Sequence, residues 1–518
     1  MRWTAIILGG LLLALLALPW AVRPGGRGTT DRQALSLVII TPHTEQIRFE
    51  FERAFSQWHE ANYGAPVDID WRAPGGTSEI RRLLIDQYQA AVRNGEYELI
   101  DGEVVIEPGR MGFDLLFGGG SYEHDQMKRG FKAVIDGQEV TVPVSVPAGF
   151  SQAQLYEWFG ENKIGNQLLY DDEQYWIGTA LSGFGIIFNK DLYAQAGLPT
   201  PTSFEDLTDP RLMGLVALAD PRQSGSITTT FQSIQDFYGW DKGWRILREM
   251  AANTRYFTSA ATKPPLDVAA GEAMAGLAID FYGRTQAQAV TPPGAPPSAS
   301  RVGYIDPVGA TYIDADPASI LRGGPHPELA RRFIAFCMTE QAQSLWQFPV
   351  NADQSGPPPT GPVQYELRRA PVRRVMFEKH ADRFIDPVDP FVAAADVPSR
   401  GWRSAIPVMM GAFGVDSDEE LQAAWKSLNR LRVRAQANPS LGPILARAEA
   451  AFYAFPSQLV VDEDGQARLL EFSEENYRPV RNAWRDPQAA AEARIAYTQF
   501  FRDRYKEVVE LEARSRQD

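Results

Sequence analysis

A single cysteine, Cys337, stands in 518 residues, inside an apolar stretch at 333–338. No disulfide can form within the chain, so the fold must rest on a buried core. No cysteine near Pro24 is available for lipid attachment. Basic residues are outnumbered, 51 Lys and Arg against 65 Asp and Glu, for a formal net charge of −14. Such a surface repels phosphate backbones, so nucleic acid is not an expected partner, although a local electropositive pocket is not excluded. The usual marks of catalysis are missing as well. There is no G-x-S-x-G elbow and no H-E-x-x-H, and the glycine-rich turns lack the Lys-Ser/Thr of a phosphate-binding loop. Gly183-Phe184-Gly185 has no third glycine at the dinucleotide spacing. No enzyme activity and no cofactor are expected. His43 near Glu45 remains the best case for a hydrolytic metal site. No short internal repeat is found.

Long hydrophobic runs are confined to the beginning. Arg2 precedes an apolar run at 5–22 that ends at Arg23, about long enough to span a bilayer. Residues 1–24 are read as an N-terminal membrane anchor or a signal peptide, the cleavage site being poor. Either places the body in the periplasm or outside the cytoplasm, secreted or tethered. With 518 residues, 44% hydrophobic and 22% charged side chains, the chain has a globular composition and is too long for one core.

Two strand–turn–helix units lead the body. Residues 37–40 read as a buried strand, followed by Thr41-Pro42-His43-Thr44-Glu45. The helix after it carries Ile47, Phe51, Ala54, Phe55 and Trp58 at spacings of three and four. Thr41 fits its cap and Pro42 its first turn. A second strand, 67–71, leads to Gly75-Gly76-Thr77-Ser78 and a helix with Ile80, Leu83, Leu84 and Tyr88 on one side. Units of this kind bring helix N-termini to one edge of a parallel sheet, where free N–H groups and helix dipoles receive ligands.

The pattern returns downstream. Residues 114–117 end in Gly118-Gly119-Gly120-Ser121-Tyr122, where glycine permits close approach or a sharp turn. Residues 128–174 read as an insertion with a hairpin turning at Asp136-Gly137. Residues 176–189 are strand-like, with a break expected at Ser182-Gly183. Residues 215–219 run into Asp220-Pro221-Arg222-Gln223-Ser224-Gly225-Ser226, and 276–279 deliver Asp280-Phe281-Tyr282. The proline-rich 356–362 reads as a linker. Beyond it, 418–436, 443–453 and 486–514 read as helices, with a hairpin within 460–472.

In this order PHTEQIRFEFERAFSQWHE, WRAPGGTSEI, DLLFGGGSYEHD, WIGTALSGFGIIFN, ADPRQSGS, GLAIDFYGR and IDPVGATYIDADPASIL resemble the extracellular solute-binding proteins of ABC importers, in the branch with ferric-ion and phosphonate-type binders. The resemblance covers residues 35–348. It implies an α/β, two-lobed periplasmic-binding-protein fold with hinge crossovers and a solute trapped between the lobes. Carried onto this chain, lobe one is 35–117 plus 311–350, and lobe two is 118–307 with the insertion 128–174. The helical C-terminal extension, 353–518, lies outside it. An ABC permease as partner, a small-molecule solute and a monomeric state are implied.

Ferric binders of that family hold metal with a histidine in the first turn, a carboxylate in the third and two adjacent tyrosines. His43 matches the histidine, glycines 118–120 stand at the carboxylate position, and the tyrosine pair reads Phe281-Tyr282. A metal set would therefore reduce to His43, Glu45 and Tyr282, poor for Fe(III), which favours anionic oxygen. The competing set suits an anion. Thr44, Gly76, Thr77, Ser78, Gly119, Gly120, Ser121, Ser182, Gly225 and Ser226 offer hydroxyl and backbone donors. His43 would donate a hydrogen bond, Glu45 or Asp280 would pair a substrate amine, and Tyr282 sits at a strand end. A small polar or anionic solute, phosphonate-like, is the expected ligand. Ordinary capped helix starts at 75–78 and 224–226, and a membrane-anchored ligand sensor, are the standing alternatives.

Overall fold

Short apolar strands that each run into a glycine- or serine-rich helix start set the architecture. The computed structural model describes residues 34–516, apart from 101, 293, 294, 296, 387 and 462–464. The expected signal or anchor at 1–24 lies outside them. Among the described residues no helix is long and apolar enough to cross a membrane.

In chain order the elements that build the site are β1 (Leu35–Ile40), α1 (Glu45–Tyr63), β2 (Val67–Arg72), α2 (Thr77–Arg93), β3 (Leu115–Phe117), α3 (Ser121–Arg129), β4 (Ile177–Asn189), β5 (Val216–Ala219), α4 (Gly225–Tyr238), β6 (Thr254–Thr258), β7 (Ala275–Ile279), α5 (Asp280–Ala289), β8 (Val302–Ile305) and β9 (Ile313–Leu321). After them come β10 (Ala370–Pro371), α6 (Asp418–Ala437), α7 (Gly442–Tyr453) and α8 (Pro487–Arg514).

One half-sheet runs β2-β1-β3-β9, with β1 parallel to both β2 and β3. The other runs β6-β5-β7-β4, with β8 also on β4. β4 and β9 join them as an antiparallel pair, Ile313 opposite Gly183 and Ala318 opposite Ile177. Past that pairing β9 continues onto β3, and β4 continues onto β7 and β8. The two shared strands cross between the lobes of a two-lobed α/β body, the layout that the resemblance implies. β4 is buried over its whole length, and the break expected at Ser182-Gly183 does not occur. With partners on both edges and cover on both faces, the ladder holds glycine in line.

Four other expectations are corrected. The first helix starts at Glu45, because Thr41 is engaged elsewhere. Its hydroxyl donates to Phe117 O at 2.6 Å and accepts from His43 N at 3.0 Å. The lobe boundary at Gly118 is also displaced. Met127, Ile135, Val142 and Val144 share a core with Ile80, Leu84 and Tyr88, and Leu155, Phe159 and Leu169 share one with Phe51 and Phe55. The chain therefore stays with the first lobe until β4. The stretch 356–362 is no free linker: Gly361 N donates to Ser344 Oγ at 3.2 Å, and Asn351 N donates to Pro362 O at 2.8 Å.

The fourth correction concerns the extension. Its helices α6, α7 and α8 form as read, but not as a separate unit. Trp425, Phe452, Phe501 and Tyr505 lie in one core with Leu218, Phe231, Trp244 and Leu247 of the second lobe. Arg248 sits in this core, 1% exposed, with its guanidinium 5.0, 4.7 and 5.0 Å from the ring centres of Phe413, Phe455 and Phe501. It donates to the carbonyls of Phe452 and Ala454. The connecting stretch is tied to the first lobe through Glu50, whose buried carboxylate accepts from Val363 N, Gln364 N and Tyr365 N at 2.9, 2.7 and 2.8 Å.

Candidate functional site

Parallel strands put the following helix starts beyond their carboxyl ends, and here those ends face each other. α2 follows β2, α3 follows β3, α4 follows β5 and α5 follows β7. Their first turns line a single interlobe cleft of about 360 Å³, together with Pro42, His43 and the loop 259–262. Known ligand sites span about 300–1,000 Å³, so the cleft suits a small solute. α2 and α3 begin on Gly76 and Gly120, which bring no side chain of their own; Glu79 reaches back to accept from Gly76 N at 3.2 Å, and Asp314 accepts from Ser121 N at 3.1 Å. The dipoles of both helices point at the space between the lobes.

Nine of the fourteen sequence-nominated residues line this cleft: His43, Gly76, Thr77, Gly119, Gly120, Ser182, Gly225, Ser226 and Tyr282. His43 and Tyr282, from opposite lobes, share it. Five do not, each for a visible reason. Thr44 lines an adjoining chamber instead, and Glu45 is exposed on the first turn of α1. Ser78 Oγ donates to Glu123 Oε1 at 2.7 Å. Ser121 gives both its N–H (3.1 Å) and its hydroxyl (2.6 Å) to Asp314. Asp280 is buried against Arg284 Nη1 at 3.3 Å and accepts from Phe281 N at 2.7 Å, so it is not available to a substrate amine. The metal set His43, Glu45 and Tyr282 is not assembled, because Glu45 stands outside. Among the described residues no group of three or more His, Cys, Asp or Glu is placed to hold a metal ion.

Three residues that sequence reading missed form the floor. Asp314 and Asp316 lie on β9, and Arg369 precedes β10, which pairs with Leu181 and Ala180 of β4. Arg369 and Asp316 are ion-paired at 4% and 3% side-chain exposure. Arg369 also donates through Nε and Nη2 to Ser182 Oγ, at 3.0 and 2.6 Å, and lies 4.2 Å from the centre of the Phe281 ring. Gly119 N donates to the other oxygen of Asp316 at 2.6 Å. Asp314 and Asp316 are both pushed up to about 6, first by burial, against opposing hydrogen bonds from Ser121 and the charge of Arg369 respectively. His43 moves the other way: burial, then the charges of Arg369 and Arg48, hold it well below its ordinary value, so it is neutral. Tyr282 is pushed up to about 12 by burial and stays protonated.

The glycines of the third turn are required by approach as well as by conformation. Gly118 has φ +93°, and a Cβ there would meet His43 Nε2 at 2.3 Å. Gly118 is the seat of the histidine, while a Cβ on Gly119 would meet Thr77 Cγ2 at 2.2 Å and one on Gly120 would meet Asp314 Oδ2 at 2.7 Å.

Residues 145–357 match the model of the bacterial extracellular solute-binding protein family, and the resemblance drawn from the turns stands over that stretch. An uncharacterized protein of Haemophilus influenzae is 28% identical over 171 residues, 33% of this chain and 46% of that one. The phosphoglycerate transport regulatory protein PgtC of Salmonella typhimurium is 25% identical over 169 residues, 33% of this chain and 40% of PgtC. The chain thus spans less than half the length of these curated relatives. Among solved structures, the periplasmic binding protein AfuA of Actinobacillus pleuropneumoniae, with fructose-6-phosphate bound, aligns at TM-score 0.43 and 16% identity, over 60% of this chain and 80% of AfuA. Iron-bound HitA of Pseudomonas aeruginosa aligns at TM-score 0.47 and 16% identity, over 70% of this chain and 92% of HitA.

Proposed function

We propose that this chain is the extracytoplasmic solute-binding component of an ABC importer, and that it captures a small anionic solute of phosphonate or phosphate-ester type. One observation carries the reading: the glycine-led starts of α2 and α3 and the serine-rich start of α4 meet in one small cleft between two lobes. Converging backbone N–H groups at helix N-termini are suited to an oxyanion. The name of the relative PgtC, which refers to phosphoglycerate transport, points the same way. Iron is the weaker reading, since Glu45 lies outside the cleft and Tyr282 has only Phe281 beside it.

The mechanism is hinge closure on β4 and β9. Contacts from both lobes exist only when the cleft is shut, so solute shifts the population toward the shut form by its differential affinity. The shut body, a monomer, then docks on a permease. Among the described residues no nucleophile with a base lines the cleft, and His43 is neutral and wedged, so binding without turnover is the expectation.

A second reading, a ligand sensor, is favoured by one feature. Helices α6–α8 add a large body to the second lobe, and PgtC is named as a regulatory protein. Thermal shift and calorimetry of the soluble body test the first reading. The panel is inorganic phosphate, glycerol 3-phosphate, 2-aminoethylphosphonate, citrate and Fe(III). Saturable binding of a phosphorus oxyanion supports it. Binding of Fe(III) alone would overturn it.

A further inference from the structure

Arg369 is the one Lys or Arg among the described residues that line the cleft. It also lies beyond the stretch that matches the solute-binding family, residues 145–357. The chain spends considerable structure on delivering it. Glu50 ties down 363–365, Arg369 N donates to Trp346 O at 2.9 Å, and β10 adds two residues to the edge of β4 at the hinge.

The surroundings are arranged to hold a cation and to leave part of it unused. A guanidinium has five N–H groups. Two are given to Ser182 Oγ, one faces Asp316, and one faces His43 Nδ1 at 3.5 Å. The remaining N–H, on Nη2, has no acceptor among the described residues. Asp316 Oδ2, already ion-paired with Arg369, and His43 Nε2 stand 3.3 Å apart, both buried, without a well-aligned hydrogen bond between them. A fixed, desolvated guanidinium with one N–H left over can give a charge-assisted hydrogen bond to one oxygen of a second anion.

We propose that Arg369 is the residue that receives the solute's anionic group, so that the C-terminal extension supplies a wall of the binding site and its charge. This rests on the reading of the cleft as an anion site. The starts of α2, α3 and α4 surround the oxyanion, and Arg369 reaches it from the hinge side. Asp316 keeps the fork oriented in the empty cleft. The same segment carries Gln364, Tyr365, Glu366 and Leu367 into the adjoining chamber, which shares Thr262, Phe281 and Tyr282 with the cleft.

Calorimetry of the full soluble body with inorganic phosphate, glycerol 3-phosphate and 2-aminoethylphosphonate provides the test. Arg369→Gln should weaken whichever probe the parent binds by about tenfold to a hundredfold. Arg369→Lys, which keeps the charge and loses the fork, should fall between. Because Arg369→Gln leaves Asp316 buried and unpaired, Arg369→Gln with Asp316→Asn removes both charges and keeps the test open if the single variant folds poorly. Parent-like affinity in either folded variant would overturn the proposal while leaving the anion reading intact. A parent that binds none of the three probes would overturn both.

Discussion

Gly225 and Glu123 meet across the cleft: a Cβ on Gly225 would lie 2.9 Å from Glu123 Oε1 and 3.3 Å from Ser78 Oγ. Glu123 cannot swing aside easily, since Ser78 and Arg81 both hold it. The start of α4 on one lobe therefore meets the Glu123 and Ser78 side chains at the α2–α3 corner of the other with no side chain of its own in the way. Arg403 fastens the same spot, donating to Gly225 O at 3.0 Å and lying 4.1 Å from the Tyr122 ring centre.

Gly225→Val should prop the lobes apart. The unliganded melting temperature is expected to stay close to that of the parent, because the helix start is otherwise preserved. Affinity for a phosphorus oxyanion should fall about tenfold or more, as closure is penalised by more than about 1.4 kcal/mol. Small-angle scattering with and without solute checks it: the parent should contract, and the variant should not.

Glu50→Ala should loosen the extension. Three backbone N–H groups lose their acceptor at a site where the carboxylate is fully buried. Each unsatisfied donor costs about 1–3 kcal/mol, so a loss of about 3 kcal/mol or more is expected in urea unfolding. Limited proteolysis should show new cuts near residues 350–365.

Asp314→Asn should stabilise the protein at high pH only. The Asp314 carboxyl is pushed up from 3.8 to about 6 by burial, so the folded state holds its proton more tightly than the unfolded chain. That contribution is complete below about pH 4 and is lost as pH rises through about 6. The amide keeps the shape, and the Ser121 hydroxyl can accept from its NH₂. Melting curves should place the variant above the parent at pH 8, with the gap closing by pH 4.

Arg248→Ala should detach the extension helices from the second lobe. It removes a cation from among three rings and empties a buried volume, a change costing about 3–5 kcal/mol. The variant should unfold at lower urea and bind a hydrophobic dye before the main transition.

The strand–turn–helix units were legible because their signals are local: apolar runs, then glycine and serine, then a three-and-four spacing. Gly76, Gly119 and Gly225 followed from position alone. What local pattern could not carry was partnership. Ser78, Ser121 and Asp280 look like free donors and acceptors until Glu123, Asp314 and Arg284 are seen to occupy them. Arg369 sits in Arg368-Arg369-Ala370-Pro371-Val372-Arg373-Arg374, a basic run that reads as a solvated face, and only a two-residue ladder on β4 turns it inward. Asp314 and Asp316 were passed over because acids in a buried strand have no expected role without the cation that comes far later in the chain.

The order of β4, β9 and β10 along the polypeptide has a temporal consequence. Each helix start of the cleft emerges during synthesis well before the guanidinium that balances its acidic floor. A nascent or truncated chain ending short of residue 369 would carry Asp314 and Asp316 without their cation, and one ending before α6–α8 would lack part of the second lobe's core as well.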